Sequence, residues 1–570
     1  MFQRSRFDRV WVLAGIGAVF YWLSLPPCKQ PWAAFIACAF WTAIVAKDCP
    51  LPRRDYWNIW FVSCALWLAL LQGIRLANPM LYPGWVALSL YVAAYLPLFV
   101  GIARSLRASL KLPLAVSVGI AWVSCELVRA YFVTGFSACM LAHSQTPWPF
   151  MLPLAAHLGG YGVSLLVMVG GAVLYGWVAW GTSSSNQASD RNAELRLTEN
   201  VIGSIVVVGA IAGSAIYLTA HERSVANLAS QEPLGRFLII QEHMPTIWDG
   251  DPNNSRIGWE RYEQQTYAST PSALTKSVDA VLWPESTFSV GVPWIEWDGK
   301  PIRQADGNLT AEESANGIES LRTSFQNKLS RICGAFGKPY PHLLVGSDVW
   351  RIKEGEMSIL NSALWIDPNM PNGVEYYAKQ HLVMFGEYIP VFHWFPEWCS
   401  SLGLPLLTAG DHATAFQLAS GTTLSTTICF EDVVPHMVRS NIVKQTQTGK
   451  APDILVNLTN DAWFRGSSIL DHHLNNAILA AVENRRPMLV AANHGISAWI
   501  DGNGRVIRSL RRLEGGSILA QPIPDGRWGV WQMIGDWPAR IIAMIGFFPL
   551  LLGLAKRILQ LRALPVENRS

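Results

Sequence analysis

The sequence is short of charge. Only 15% of its residues are Asp, Glu, Lys or Arg, where a soluble domain carries about 25%. That shortage argues against a wholly soluble protein. The net charge of +3 is too weak for a nucleic-acid partner, which would require a concentrated basic surface. The nine cysteines contain no CxxC pair and no metal-ligand spacing, so neither a metal nor another cofactor is expected. Six of them (Cys28, Cys38, Cys49, Cys64, Cys125 and Cys139) lie in the apolar N-terminal part. Cys333, Cys399 and Cys429 remain in the polar part, too few for a disulfide framework. There is no internal repeat. The basic, apolar start lacks a small-residue cleavage site and is followed by further apolar segments, so it does not read as a cleaved signal peptide.

What the chain has in quantity is apolar and aromatic surface: 51% hydrophobic residues and 26 Trp. Apolar stretches near 9–26, 32–47, 57–74, 84–104, 112–132, 150–180 and 200–220, and again at 538–557, predict eight membrane-spanning helices. Basic residues cluster in alternate loops. Arg4, Arg6 and Arg9 come first, then Lys47, Arg53 and Arg54, then Arg104, Arg107 and Lys111. Arg191 and Arg196, and finally Lys556, Arg557 and Arg562, complete the series. This bias predicts both termini in the cytoplasm and residues 221–536 outside, on the periplasmic side of a bacterial inner membrane. Residues 182–199 read as a mobile cytoplasmic loop. The expected division is 1–220 membrane domain, 221–536 outer domain, and 537–570 last helix and tail.

Residues 221–536 read as α/β. Short β-rich runs recur at 237–240, 280–283, 342–347, 362–367, 424–430, 453–458 and 488–492. A hairpin is expected around Gly502-Asn503-Gly504. Helix-like stretches lie at 311–335 and 469–485.

Three runs carry residues capable of chemistry. Leu424 to Val434 opens as an apolar, β-branched run that ends in Cys429, followed by Phe430, Glu431 and Asp432. A thiol at the end of a buried strand is presented at a sheet rim, where reacting groups sit. Ala280 to Glu285 ends in Pro284-Glu285. Proline cannot continue a central strand, and a carboxylate leaving an apolar run suits a general base. Lys379 to Glu387, KQHLVMFGE, is the third strand-like run. Each residue alone has a plain alternative: a buried Cys, a solvent-facing Glu, a surface Lys.

Together these contexts resemble the nitrilase superfamily, whose triad is Glu, Lys and Cys in that order. The resemblance covers WPES at 283–286, Lys379 before HLVMFGEYIP, and CFED at 429–432. With the membrane segments, the chain more closely resembles the apolipoprotein N-acyltransferase family. That likeness extends to NLTNDAWF at 457–464, NHGISAWID at 493–501 and GDWP at 535–538. It also takes in Glu126 and Arg129 through Thr134-Gly135-Phe136 to Ser144-Gln145. The chain departs from the family pattern at Phe430, where Tyr is usual. It also departs at His243, where Asn or Asp is usual, and at His494, where Asn or Thr is usual.

The resemblance implies a nitrilase-like αββα sandwich inserted before the last helix of an eight-helix transmembrane bundle. It implies Glu285 as base, Cys429 as nucleophile, and Lys379 with a backbone N–H near Phe430 as oxyanion donors. The acyl donor would be a phospholipid, through its sn-1 ester. The acceptor would be the α-amino group of an S-diacylglyceryl-cysteine at an apolipoprotein N-terminus. Glu387 and Glu431 are supporting candidates. Trp248 and Tyr388, with the aromatic run to Trp398, suggest a lipid-facing arm. Glu126 and Arg129, three apart on one helix face, either brace the bundle or bind a lipid headgroup. The rival reading is a membrane-tethered amidase or nitrilase using water as acceptor. A membrane scaffold with a dead nitrilase domain is disfavoured by the intact Glu285, Lys379 and Cys429.

Overall fold

A computed structural model describes residues 9–133, 135–182, 191–227, 232–245, 252–273, 277–288, 292–303, 309–370, 373–384, 386–388, 407–525, 527 and 529–563. The chain divides into two compact units. The first comprises Met1–Gln72, Pro83–Ala226 and Gly529–Ser570, and the second Gly73–Tyr82 and Asn227–Trp528.

In the first unit, every apolar stretch of the sequence lies on a helix. These are Val10–Ser24, Pro31–Val45, Arg53–Leu70, Tyr82–Leu110 with one break, Leu114–Tyr131, Pro149–Gly181, Arg191–Asn227 and Trp537–Ala563. Five contain segments long and apolar enough to cross a membrane: Tyr82–Leu110, Leu114–Tyr131, Pro149–Gly181, Leu197–Ala220 and Trp537–Gln560. Val10–Ser24 and Pro31–Val45 are apolar but shorter. Ile205, Val208 and Ile216 stand exposed on one of the five, and Phe548 and Leu551 on another. Open apolar faces on fully hydrogen-bonded helices suit hydrocarbon. The loop expected over 182–199 is shorter than the sequence suggested, because residues 191–199 are helical. Ala193, Glu194, Leu195 and Arg196 are good helix formers and extend the apolar helix backwards.

The second unit is built on two sheets. The first holds β1 (Phe237–Gln241), β2 (Ala280–Trp283), β3 (Trp294–Trp297), β4 (His342–Lys353), β5 (Glu356–Ile366) and β6 (Val374–Ala378). The second holds β7 (Ala415–Gln417), β8 (Thr423–Ile428), β9 (Ile454–Asn460), β10 (Met488–Asn493), β11 (Ala498–Ile500) and β12 (Val506–Ser509). The chain then returns to the first sheet as β13 (Gly516–Ala520). The orders are β13-β1-β2-β4-β5-β6, with β3 beside β4, and β12-β11-β10-β9-β8-β7. Each sheet has a parallel centre, β1-β2-β4 and β8-β9-β10, flanked by antiparallel strands.

The apolar runs explain the layering. Side chains along a strand alternate between faces. Phe237 and Ile239 of β1 and Leu282 of β2 meet Leu424, Val456 and Leu458 of the second sheet in one core cluster. The alternate residues Leu238, Ile240, Val281 and Trp283 face outward. There they meet Trp259 and Tyr262 of helix Pro252–Ala273 and Phe325 and Ile332 of helix Ala311–Cys333. Central strands must be apolar on both faces to do this, so they read as continuous hydrophobic runs. Helix Ala311–Cys333 starts at a capping box, in which Thr310 and Glu313 bond each other's backbone N–H. Helices Pro435–Thr448 and Ile469–Asn484 connect the parallel strands of the second sheet. The unit is thus an αββα sandwich.

Candidate active site

The candidate residues leave the carboxyl ends of strands, where open α/β sheets place their ligands. Glu285 follows β2 after Pro284. The turn presses against β4 so closely that a Cβ at Gly346 would lie 2.4 Å from the Glu285 Cα. Only glycine fits there. Lys379 follows β6. This corrects the expectation that residues 379–387 form a strand: the strand is Val374–Ala378, and the lysine is the first residue beyond it. The chain leaves the sheet there because the backbone N–H groups of Gln380 and His381 donate to Glu431 at 2.7 and 3.0 Å instead of to a neighbouring strand. Cys429 follows β8 and begins a 3-10 turn, Cys429–Val433. Its φ is +50°, a conformation L-residues avoid and one often found at functional sites.

The structure brings Glu285, Lys379 and Glu387 into contact. Lys379 is 1% exposed, with Nζ 3.4 Å from Glu285 Oε1 and 2.8 Å from Glu387 Oε1. Burial alone would lower the Lys379 pKa, but the Glu285, Glu387 and Cys429 charges outweigh it and raise it. The lysine is therefore a fixed cation. Asn361 Nδ2 donates to Glu285 Oε1 at 2.7 Å and Glu387 Oε1 at 3.0 Å. The Asn460 N–H donates to Glu285 Oε2 at 2.9 Å. Glu387 Oε2 accepts from the Val383 N–H at 2.8 Å. The Glu285 carboxylate is thus held from both sheets.

Cys429 is half-buried. Burial first, then the Glu285 carboxylate, pushes its thiol up to about 12, against the pull of Lys379 and His473. A resting thiol needs a base before it can attack, and Glu285 is the near carboxylate that raises it.

Glu431 does different work. It is fully buried and accepts from the N–H of Ile428 at 2.8 Å, from Gln380 and His381, and from the Tyr377 hydroxyl at 2.9 Å. It ties the end of β8 to the end of β6. Phe430 stacks on His381, with ring centroids 6.2 Å apart. Tyr388 follows Glu387 and forms a backbone bridge with Met384. Trp248 lies outside the described residues, as does the aromatic run beyond Tyr388. The departures His243 and His494 meet, their rings 4.2 Å apart, and burial followed by the His243 charge lowers the His494 pKa to about 4.

In the first unit, Glu126 and Arg129 are 3% and 4% exposed. Glu126 Oε1 accepts from Trp122 Nε1 at 2.8 Å and the Leu141 N–H at 3.0 Å. The Arg129 guanidinium lies over the Trp67 ring. Both line a small cavity of about 30 Å³, walled by Tyr21, Trp41, Trp67 and Trp122. Arg129 Nε and Nη2 have no hydrogen-bond partner among the described residues.

Sequence reasoning gave no site role to Asn361 or His473, and quoted Asn457 and Asp461 only within NLTNDAWF. Asn361 left little trace, because β5, EMSILNSALWI, carries other polar residues beside it.

Residues 17–173 match the family model of the apolipoprotein N-acyltransferase N-terminal domain, and residues 239–531 match that of the carbon-nitrogen hydrolases. The apolipoprotein N-acyltransferase of Rhodopirellula baltica is 30% identical over 92% of this chain and 94% of its own length. The chain belongs to the apolipoprotein N-acyltransferase family. The Haemophilus influenzae apolipoprotein N-acyltransferase is 25% identical over 80% of this chain and 77% of its own. Among solved structures, a Nesterenkonia amidase of the nitrilase superfamily covers 52% of this chain and 94% of its own, at 16% identity and a TM-score of 0.33. The acyltransferase-domain match lies on the apolar helical unit, and the hydrolase match spans the sandwich that carries Glu285, Lys379 and Cys429.

Proposed function

We propose that this membrane acyltransferase moves an acyl chain from a phospholipid to the α-amino group of an S-diacylglyceryl-cysteine, through a thioester on Cys429. Glu285 takes the Sγ proton. The thiolate attacks the ester carbonyl, and Lys379 with the Phe430 N–H stabilises the oxyanion. The tetrahedral intermediate collapses, and the lysophospholipid alkoxide leaves with the proton from Glu285. The lipoprotein amine then attacks the thioester, Glu285 receives its proton, and the Cys429 thiolate is released to be reprotonated. Both substrates need the same thiol, so the order is ping-pong. The observation that supports this most directly is the buried Lys379 between Glu285 and Glu387 beside a Cys429 whose thiol stays protonated without a base.

The amidase reading is less favoured, because water as acceptor gives no use for the N-terminal acyltransferase domain matched over residues 17–173. We place the second unit on the periplasmic side of a bacterial inner membrane, from the loop charges. Labelling of an introduced Asn186→Cys thiol from outside the cell would overturn that side. Arg129, whose Nε and Nη2 have no hydrogen-bond partner among the described residues, and Glu126 are proposed to hold a lipid headgroup, and Trp248 and Tyr388 to contact acyl chains. Intact mass spectrometry after incubation with phospholipid alone tests the chemistry. An acyl adduct on Cys429 is expected. Its absence in folded enzyme that is active with both substrates would sink the ping-pong scheme.

A further inference from the structure

A second ionic cluster lies behind the nucleophile, and the mechanism above does not use it. His473, on helix Ile469–Asn484, stands between two buried carboxylates. Its Nε2 is 3.0 Å from Asp432 Oδ1 and its Nδ1 is 3.0 Å from Asp461 Oδ1. Nε2 is also 3.2 Å from the Cys429 carbonyl oxygen, and Nδ1 is 3.5 Å from Thr459 Oγ1. The Thr459 hydroxyl donates to Asp461 Oδ1 at 3.0 Å, so it turns a lone pair to the histidine. Both ring nitrogens therefore face acceptors. A neutral imidazole has one N–H, and only the imidazolium can donate from both sides. The cluster is one cation between two carboxylates, all buried or nearly so.

The cluster holds one atom of the nucleophile. The Cys429 carbonyl receives Asn457 Nδ2 at 3.0 Å as well as His473 Nε2. Two side-chain donors thus fix the carbonyl of a residue whose φ is +50°. With the carbonyl fixed, the plane of the next peptide is fixed too, and with it the Phe430 N–H. A neutral side chain such as Gln could brace a carbonyl without the cost of burying three ionisable groups. The charge therefore calls for a use, and the thiol beside it supplies one. When Cys429 ionises, negative charge appears near the carboxylates of Glu285 and Asp461, and the cations that oppose them are Lys379 and His473.

We propose that His473, kept protonated between Asp432 and Asp461, is a positioning residue for the nucleophile: it locks the Cys429 carbonyl and favours the thiolate over the thiol. The inference rests on Cys429 as the acylated residue. The groups facing His473 are Asp432 and Cys429 from the β8 turn, and Thr459 and Asp461 from the end of β9. Asp461 in turn faces His494 and Gly495. Cys429 faces Glu285 and Lys379 on its other side.

The test uses the full-length enzyme. Alkylation of Cys429 by iodoacetamide is followed by peptide mass spectrometry from about pH 6 to about pH 10, alongside the rate of acyl-adduct formation from phospholipid. In His473→Gln the alkylation profile should move to higher pH by about one unit, because a cation near the thiolate is lost. Adduct formation should fall about tenfold or more at neutral pH. Asp461→Asn keeps the imidazole but removes one carboxylate that holds its proton. Its adduct formation should be near normal at the acid end and decline as pH rises, and this variant decides the matter should His473→Gln not fold. Wild-type alkylation profiles in both variants would overturn the proposal. So would a fall in adduct formation with an unchanged alkylation profile, which marks a brace without electrostatic effect. If the wild type forms no adduct on Cys429, the nucleophile assignment fails instead. The alkylation profile needs no substrate and still judges His473.

Discussion

Cys429 lies between two clusters of the same make-up. In front of the thiol, Lys379 sits between Glu285 and Glu387. Behind the carbonyl, His473 sits between Asp432 and Asp461. Each is a buried cation flanked by two carboxylates, an arrangement that survives desolvation only when its geometry is well satisfied. The front cluster has a carboxylate able to take a proton and an ammonium able to meet an oxyanion. The rear cluster reaches no substrate position directly and works through the peptide of the nucleophile. The comparison teaches that similar charge sets are told apart by the atom they address: a reacting sulfur in one case, a backbone carbonyl in the other.

The strongest way to break the comparison is to remove what both clusters serve. Cys429→Ser should lose acyl transfer by about a thousandfold or more, because a hydroxyl is far harder to deprotonate than a thiol and an oxygen ester is a poorer acyl donor to an amine. The variant should still bind phospholipid, as measured by co-purified or titrated lipid. Next in size is Glu285→Gln. The amide cannot take the proton, so adduct formation should fall by about a hundredfold or more while the melting temperature stays close to wild type. Adduct formation at wild-type rate in that variant would move the base elsewhere.

Glu431→Ala sharpens the contrast from the structural side. It strands the N–H groups of Ile428, Gln380 and His381, and unfolding in denaturant should show a loss of about 3 kcal/mol or more. The pH dependence follows from Cys429. Its folded pKa is raised to about 12, above that of an unfolded thiol at about 8.5. Its contribution to stability is therefore complete below the unfolded value and is lost as pH rises toward about 12. Urea titrations at rising alkaline pH should show that decline, and it should be smaller in Cys429→Ser, the remainder coming from other buried groups such as Cys333, pushed up to about 11. The smallest effect is expected for Cys333→Ser. Cys333 packs in the outer core with Trp259 and Phe325, so the hydroxyl should cost about 1–2 kcal/mol of stability and leave adduct formation near wild type.

Much of this was legible in the sequence, for physical reasons. β1, β2 and β10 are buried on both faces, so each reads as an apolar run. Glu285 stands just past β2, and Cys429 just past the β-branched run of β8. Lys379 was read as the start of a strand rather than the residue beyond one, because the strand before it, VEYYA, alternates polar and apolar residues and hides among loop-like neighbours. The rest of the site was not visible because its partners are set by register. Asn460 pairs with Asn493 across β9 and β10, and Asn493 Nδ2 then bonds Asn460 Oδ1 at 2.9 Å. Nothing local to either residue announces that contact. His473 stood beside His472 in a helix, and only the fold tells which of the two turns toward Asp432. The loop expected at 182–199 was overdrawn because polarity was read as disorder in residues that favour helix.

Glu431 joins elements from different sheets: Ile428 closes β8 in one, while Gln380 and His381 follow β6 in the other. One carboxylate therefore makes assembly of the site conditional on docking of the sheets. Before the halves of the sandwich meet, the thiol lacks its base, its cation and its fixed turn, and is an ordinary cysteine. A chain whose two sheets have not yet docked therefore holds the thiol without the carboxylate and ammonium proposed to act on it, and acyl-enzyme formation waits on folding.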